Sequence, residues 1–124
     1  MRMQSVEKIL RVGIFLTFLG HGIVAIQGPL RWIDYLEFIG FSSDRASDIL
    51  PLIGFLDILV ALTILIKPYK YVVLWASIWA FSTALIRPLS GEEIWAFVER
   101  GSNWMTPLAL YICLIIKSKN QNCE

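Results

Sequence analysis

Asp57 is the position most informative about chemistry, because it is the one charged residue in the run from Ile49 to Ile66. Those eighteen residues would rise about 27 Å as a helix at about 1.5 Å per residue, close to the roughly 30 Å hydrocarbon core of a bilayer. A carboxylate at such a depth costs about 2.5–3.5 kcal/mol on insertion scales. Asp57 is therefore expected to face the protein interior and to have a polar partner there.

Other polar residues lie within or at the ends of apolar segments and complete the candidate site. An imidazole, a guanidinium and a carboxylate can exchange protons or hold a polar ligand group. The same groups can instead only fix helices through hydrogen bonds, and both interpretations stay open for each residue. The candidates beside Asp57 are His21, Thr83, Arg87, Glu99, Arg100, Asn103 and Trp104.

The rise of a helix places two of these residues at similar depths. Asp57 lies eight residues after Ile49, about 12 Å into its segment. His21 lies seven residues before Gly28, about 10 Å into its own segment. Because an unpaired buried carboxylate is costly, we expect Asp57 to contact His21 or Arg87.

Composition places the chain in the membrane class. Its 124 residues are 56% hydrophobic and 17% charged, with a mean hydropathy of +0.63, whereas soluble domains have about 45–50% apolar and about 25% charged residues. A net charge of +1 argues against nucleic-acid binding, which needs a basic surface. Cys113 and Cys123 form neither a disulfide framework nor a metal-ligand pattern, so no metal site is predicted.

The hydropathy pattern predicts an all-α fold, a single domain over residues 1–124 that forms an integral membrane four-helix bundle. The final segment is short for a span. The predicted spans are about 11–28, 46–66, 70–87 and 103–117.

Two connections are predicted to be short interfacial helices on the outer side of the bundle. Residues 29–40 mix apolar and charged side chains at roughly helical spacing. Residues 90–101 begin with a capping-box pattern, Ser90 followed by Glu93. Ser43 is the predicted N-cap of the second span.

Basic residues favour one side of the predicted bundle. Seven lie in the amino-terminal segment, the turn after the second span and the carboxy-terminal tail, against four in the two other connections. By the positive-inside rule, both termini are then cytoplasmic. The seven are Arg2, Lys8, Arg11, Lys67, Lys70, Lys117 and Lys119, and the four are Arg31, Arg45, Arg87 and Arg100.

Small residues recur on one face of each of the first three spans, a pattern that permits close helix packing in lipid. The polar candidates share these faces, so we expect them to turn toward the bundle axis. The faces are Gly13, Thr17, Gly20 and His21 in the first span; Gly54, Asp57 and Ala61 in the second; and Ala76, Ala80, Thr83 and Arg87 in the third.

At the outer end, Arg87, Glu99, Arg100 and Asn103 are expected to form one polar network. The fork of N–H donors on a guanidinium suits a bidentate carboxylate, and Glu99 is the acid expected to reach Arg87. Such a contact would fold the last connection over the mouth of the bundle, so that a ligand would enter laterally between helices.

Four motifs carry a resemblance to a known family. They are Gly20-His21-Gly22, G-x-x-D-I-L-V-A from Gly54 to Ala61, T-A-L-x-R-P-L-x-G from Thr83 to Gly91, and E-R-G-x-N-W-x-x-P-L-A-L from Glu99 to Leu110. With them, most of the chain from Arg11 to Ile116 resembles the DoxX-like group of small bacterial membrane proteins.

The resemblance implies a four-helix bundle in the bacterial inner membrane. Some relatives are linked to quinone-coupled sulfur oxidation or to oxidative-stress complexes with thiol enzymes. This chain lacks the paired cysteines of thiol-oxidising four-helix membrane enzymes, which disfavours a dithiol mechanism. The positions that the resemblance marks are His21, Asp57, Arg87, Glu99, Arg100, Asn103 and Trp104.

Three functions fit these features, and whether the protein is an enzyme stays open. The first is a redox-associated membrane subunit with a polar intramembrane site for a quinone-like or other small apolar ligand. The second is a non-catalytic ligand-binding or transport module. The third is a structural accessory subunit of a membrane complex. The expected partners are the lipid bilayer and other membrane or redox proteins, and the sequence is also compatible with a homo-oligomer.

The basic-residue asymmetry generates a topology prediction. Reporter domains fused at Glu124 and inserted between Arg87 and Gly101 should report opposite sides of the membrane, because a single span separates these points. An alkaline phosphatase and a green fluorescent reporter, active on opposite sides, measure this directly. Activity of the same reporter at both points would refute the predicted arrangement.

Overall fold

The computed structural model describes residues 3–122, and every regular element within that range is a helix. Four of these helices have twenty residues or more, and two short ones lie in the connections. The elements are α1 Met3–Gln27, α2 Leu30–Phe38, α3 Ser43–Ile66, α4 Lys70–Leu89, α5 Trp95–Val98 and α6 Gly101–Asn122.

Glycines in the left-handed region separate the helices at the end of the molecule that carries α2. Gly28 (φ 67°) follows α1, Gly40 (φ 113°) follows α2, and Gly91 (φ 112°) follows α4. A Cβ is disfavoured at such φ values, so glycine suits these chain reversals. The N-cap of α3 is Ser42, whose hydroxyl accepts from the Arg45 amide at 3.4 Å, one residue earlier than predicted.

The long helices associate as two pairs. α1 packs most extensively on α3 and α4 packs on α6, while α1 also contacts α6. By contrast, α3 and α4 touch at few points, although they are consecutive in the chain. The buried core where the pairs meet consists of Ile14, Phe18, Val60, Ala61, Ile64, Val73, Ala76, Ala80 and Leu110.

Two glycines set the distance between α1 and α3. A Cβ on Gly54 would lie 2.5 Å from the Gly22 carbonyl oxygen, and a Cβ on Gly22 would lie 2.7 Å from the Gly54 carbonyl oxygen. The two backbones are therefore in direct contact, as expected for small residues at a helix crossing in lipid. The sequence interpretation chose Gly20 for this face, but Gly20 is exposed and a Cβ there would meet nothing within 4 Å.

The guanidinium of Arg11 fastens the other end of the same helix pair. It donates from Nε to the Ile64 carbonyl at 3.1 Å and from Nη2 to the carbonyls of Leu65 and Ile66. These are carbonyls of the last turn of α3, which lack partners within the helix. A cation also interacts favourably with the negative end of the helix dipole, so Arg11 caps α3 from α1.

Three of the described helices, Gln4–Gln27, Ser43–Ile66 and Lys70–Leu89, are long and apolar enough to cross a membrane. Large apolar side chains such as Leu52, Phe55 and Leu59 are more than half exposed on α3, which suits a lipid environment. The fourth predicted span lies within α6. This helix carries polar residues at both ends and is not one of the three helices that are long and apolar enough.

The two connections differ in how well they match the predicted interfacial helices. The segment predicted at 29–40 contains α2, as expected. The capping box does not form, because the Ser90 hydroxyl donates to the Arg87 carbonyl at 3.0 Å instead of accepting at a helix start. The only helix of that connection, α5, starts later, at Trp95, and has four residues.

The glycine crossing predicts a sharp difference between two alanine variants. Gly54→Ala should destabilise the protein by about 1–3 kcal/mol, because its methyl group would overlap a backbone carbonyl that has no room to move. Gly20→Ala should leave the stability unchanged or raise it by up to about 1 kcal/mol, since alanine favours a helix more than glycine does. Thermal unfolding of both variants in the same detergent measures the difference, and equal midpoints would contradict the close crossing.

Candidate functional site

A cavity of about 230 Å³ is lined by residues of α1, α2, α3, α4 and the start of α6, and two of these helices, α3 and α4, touch at few points. Aromatic and aliphatic side chains form most of its wall. Six predicted site residues also line it: His21, Asp57, Thr83, Arg87, Arg100 and Asn103. The apolar lining includes Phe18, Trp32, Leu36, Ile39, Leu50, Ile53, Trp79 and Ile86.

Asp57 forms the end of the cavity that lies deeper among the helices. It is 5% exposed, and its Oδ1 accepts a hydrogen bond from the Trp79 indole at 3.1 Å. The expected contact of Asp57 with His21 or Arg87 is wrong, because no ion pair or hydrogen bond joins them within residues 3–122. An indole N–H only donates, so it satisfies an acceptor of the carboxyl group without supplying a charge.

Arg87 forms the opposite end of the cavity, beneath α2. It is 7% exposed, and its Nη1 donates to the Tyr35 hydroxyl at 2.9 Å. Tyr35 in turn donates to Glu92 Oε1 at 2.5 Å. Arg87 thus reaches a carboxylate through a phenol, and this chain of hydrogen bonds joins α4, α2 and the connection before α5.

The same guanidinium lies against two aromatic rings. Its Cζ is 5.1 Å from the centroid of Tyr35 and 5.7 Å from that of Trp32, both within the range of cation–π attraction. Its Nε is buried and has no hydrogen-bond partner in the described part of the chain. A buried donor without a partner costs about 1–3 kcal/mol, and more when it is charged. Arg87 is therefore buried at a cost that its single hydrogen bond and its two ring contacts offset only in part.

We call the chain of hydrogen bonds from Arg87 through Tyr35 to Glu92 the hydroxyl relay, because it depends on the hydroxyl group of Tyr35. Burial of the ring, followed by the hydrogen bond to Glu92, raises the pKa of the Tyr35 hydroxyl, and the nearby Arg87 opposes that shift. The phenol therefore stays protonated at neutral pH and remains a donor to Glu92. Glu92 also lies 3.6 Å from the exposed Arg31, a pair that contributes little by itself.

The expected pairing of Arg87 with Glu99 is wrong. Glu99 instead pairs with its neighbour Arg100, whose Nη1 lies 2.6 Å from Glu99 Oε1 and donates to the Ala96 carbonyl at 2.7 Å. Glu99 is largely exposed and does not line the cavity. Arg100 and Asn103 do line it. The four residues therefore do not form the single predicted network, because Glu99 pairs with Arg100 and Arg87 bonds to Tyr35.

His21 lines the cavity beneath Trp32. The two ring centroids are 5.9 Å apart and the planes are tilted by 49°. Its side chain is half-buried and makes no hydrogen bond to another of the described residues. The imidazole is therefore available to a ligand as a donor or an acceptor.

Trp104 lies apart from the cavity. Its ring packs edge-on against Phe81, with centroids 5.1 Å apart, and its carbonyl accepts from the Ser77 hydroxyl at 2.9 Å. These contacts hold α4 against α6. Its buried indole N–H has no partner among the described residues. Because Trp104 is not among the residues that line the cavity, we assign it to packing.

Sequence reasoning missed the side chains that contact the two buried charges. Trp79 is not among the candidates that the sequence indicates, and Tyr35 and Glu92 lie in the segments predicted to be interfacial helices. A signal existed for Tyr35, because an amphipathic segment that carries a tyrosine often buries the ring and hydrogen-bonds the hydroxyl. Nothing in the sequence distinguished Glu92 from Glu99 as the acid nearest to Arg87.

The site is suited to binding a polar group at each end of an apolar chamber. No group of three or more potential metal ligands occurs among residues 3–122. No protein-family model, curated protein or solved structure matches this chain.

The hydroxyl relay predicts a specific loss of stability. Tyr35→Phe keeps the ring over Arg87 but removes the acceptor of Nη1 and the donor to Glu92, so unfolding should become easier by about 1–3 kcal/mol. Tyr71→Phe is the matched control, since Tyr71 is 72% exposed. Denaturant titrations followed by circular dichroism compare the two variants. Equal stabilities would show that the relay contributes nothing to the fold.

Proposed function

We propose that this protein is a small integral membrane protein that binds a lipophilic, ring-bearing molecule such as a quinone in the cavity between Asp57 and Arg87. The observation that carries the proposal is the pair of buried charges. Both residues are less than a tenth exposed and face one chamber, yet neither is directly ion-paired within the described chain. Such charges are expensive to bury and are functional candidates in a membrane.

The shape and chemistry of the cavity support a ring with a carbonyl oxygen. A carbonyl accepts hydrogen bonds, and the guanidinium of Arg87, which lines the cavity, carries N–H donors only. Trp32 and Trp79 contribute aromatic surface to the lining. The volume of about 230 Å³ lies below the roughly 300–1,000 Å³ of sites that enclose drug-sized ligands. It therefore suits a head group, with an apolar tail leaving between α3 and α4.

The proposal includes the membrane arrangement expected from the sequence. In it α6 is the fourth span, both termini lie in the cytoplasm and α2 lies at the outer surface of a bacterial inner membrane. The resemblance to DoxX-like proteins and the basic-residue asymmetry support this arrangement. A quinone-binding chamber near the outer surface would make the protein a redox-associated subunit, with the electron-transfer partner on another chain.

A structural accessory role is the second candidate, and one observation favours it. The relay from Arg87 through Tyr35 to Glu92 ties three elements together, as expected of groups that only hold helices in register. That role explains the partners of Arg87 Nη1. It does not explain why a chamber lined by both Arg87 and Asp57 lies among the helices. Ligand binding accounts for that chamber.

A quinone titration tests the proposed function. Short-chain ubiquinone added to the protein in lipid nanodiscs should quench tryptophan fluorescence saturably, because Trp32 and Trp79 line the cavity. Arg87→Gln should weaken binding about tenfold or more, since it removes hydrogen bonds from a charged donor worth about 1.5–3 kcal/mol. Arg45→Gln is the control, because Arg45 is exposed at the start of α3.

Two results would contradict the proposal. Quenching that rises linearly with quinone and never saturates would indicate partitioning into lipid without a site. Equal affinities for the Arg87 and Arg45 variants, both checked for native helix content, would show that the buried guanidinium does not contact the ligand.

A further inference from the structure

The two ends of the cavity offer opposite hydrogen-bonding capacity. A guanidinium has five N–H donors and no acceptor, so the Arg87 end can only donate. At the other end the Trp79 indole donates to Asp57 Oδ1. A carboxylate only accepts, so the ionised form of Asp57 offers its second oxygen to a ligand as an acceptor. A ligand that spans the chamber therefore meets a donor at one end and an acceptor at the other.

Helix geometry directs these two groups toward each other. Trp79 precedes Arg87 by eight residues on α4, an axial rise of about 12 Å, and Thr83 lines the cavity between them. Helical side chains lean toward the amino terminus of their helix. Since α3 and α4 run in opposite directions, Arg87 leans toward the level of Asp57 and Asp57 leans toward the level of Arg87. An axial separation of about 12 Å is comparable with the length of one ring that carries a hydrogen-bonded substituent at each end.

A ligand with two acceptors would satisfy only one end of this chamber. One carbonyl of a quinone can accept from Arg87, but the opposite carbonyl would direct its lone pairs at the carboxyl oxygens of Asp57. Burying acceptors against each other without a proton between them is unfavourable. A hydroxyl group at that position would instead donate to Asp57.

We propose that the ligand carries an acceptor and a hydroxyl donor at opposite ends of one aromatic ring, with the acceptor at Arg87 and the hydroxyl at Asp57. This inference rests on the proposed function and deepens it. It assigns the site to para-hydroxylated ring carbonyls and to the reduced, quinol form of a quinone, in preference to the oxidised form. It also gives Asp57 a direct ligand contact and Trp79 the role of positioning the carboxyl group.

A redox-inert probe pair isolates the donor requirement. 4-Hydroxyphenyl hexyl ketone has the carbonyl, ring and hydroxyl in line, and its O-methyl ether keeps everything except the donor. In nanodiscs the wild-type protein should bind the phenol about tenfold or more tightly than the ether, as expected for the loss of a hydrogen bond to a charged group. Saturable tryptophan quenching or calorimetry measures both affinities, and this comparison needs no variant.

Variants then locate the contact. Asp57→Asn should bring the two affinities to within about threefold, because its amide can keep an oxygen toward Trp79 and turn a donor toward the ligand. Asp48→Asn, an exposed acid on the same helix, should retain the wild-type preference. A preference that survives in Asp57→Asn would overturn the assignment of the hydroxyl to Asp57.

The outcomes separate this inference from the proposed function. Saturable binding of short-chain quinone together with equal affinity for the phenol and the ether would overturn the inference and leave the proposed function standing. Tighter binding of the ether than of the phenol would overturn the inference in the same way. Failure of the phenol, the ether and the quinone to bind saturably would overturn both.

Discussion

The rest of the structure depends on the backbone contact between α1 and α3 at Gly22 and Gly54. No side chain separates the helices there, and a Cβ on either glycine would lie within 2.7 Å of the opposite carbonyl oxygen. This contact puts His21 beside the crossing and Asp57 one turn beyond it. On its other side α3 touches α4 at few points, and residues of both helices line the cavity. α3 is therefore closely packed against α1 and borders open space toward α4.

Within that gap the protein keeps an acidic and a basic side chain apart. Asp57 and Arg87 do not bond to each other, and each has a neutral aromatic partner instead, the indole of Trp79 and the phenol of Tyr35. These neutral partners satisfy hydrogen-bonding capacity without supplying an opposite charge. A purely structural ion pair would be made more simply by direct contact, so their separation is itself an argument that the space between them has a use.

The sequence was sufficient for features that depend on composition and spacing. Long apolar runs predicted α1, α3 and α4, and the isolated charged residues Asp57 and Arg87 were correctly predicted to be buried. The sequence was insufficient for the exact face of a helix, because each residue turns the direction of the side chain by about 100°. It indicated Gly20 for the contact with α3, whereas the structure uses Gly22. It also could not rank Glu92 against Glu99, because their distances to Arg87 depend on how the connection with α5 turns. The hydrogen bond between Trp79 and Asp57 depends on the relative heights of α4 and α3, which the sequence does not show.

Arg11 has a consequence for how this molecule moves. Its guanidinium joins α1 to the last turn of α3, eleven residues or roughly 16 Å along α1 from the glycine crossing. Two helices fixed at two separate heights can neither scissor nor slide, so α1 and α3 behave as one rigid half of the molecule. α4 is attached to α3 more lightly, by the hydrogen bond from Trp79 to Asp57 and by a three-residue turn at Lys67–Tyr69. Widening of the chamber between α3 and α4 would therefore have to break that hydrogen bond, whereas the pair of α1 and α3 would keep its shape.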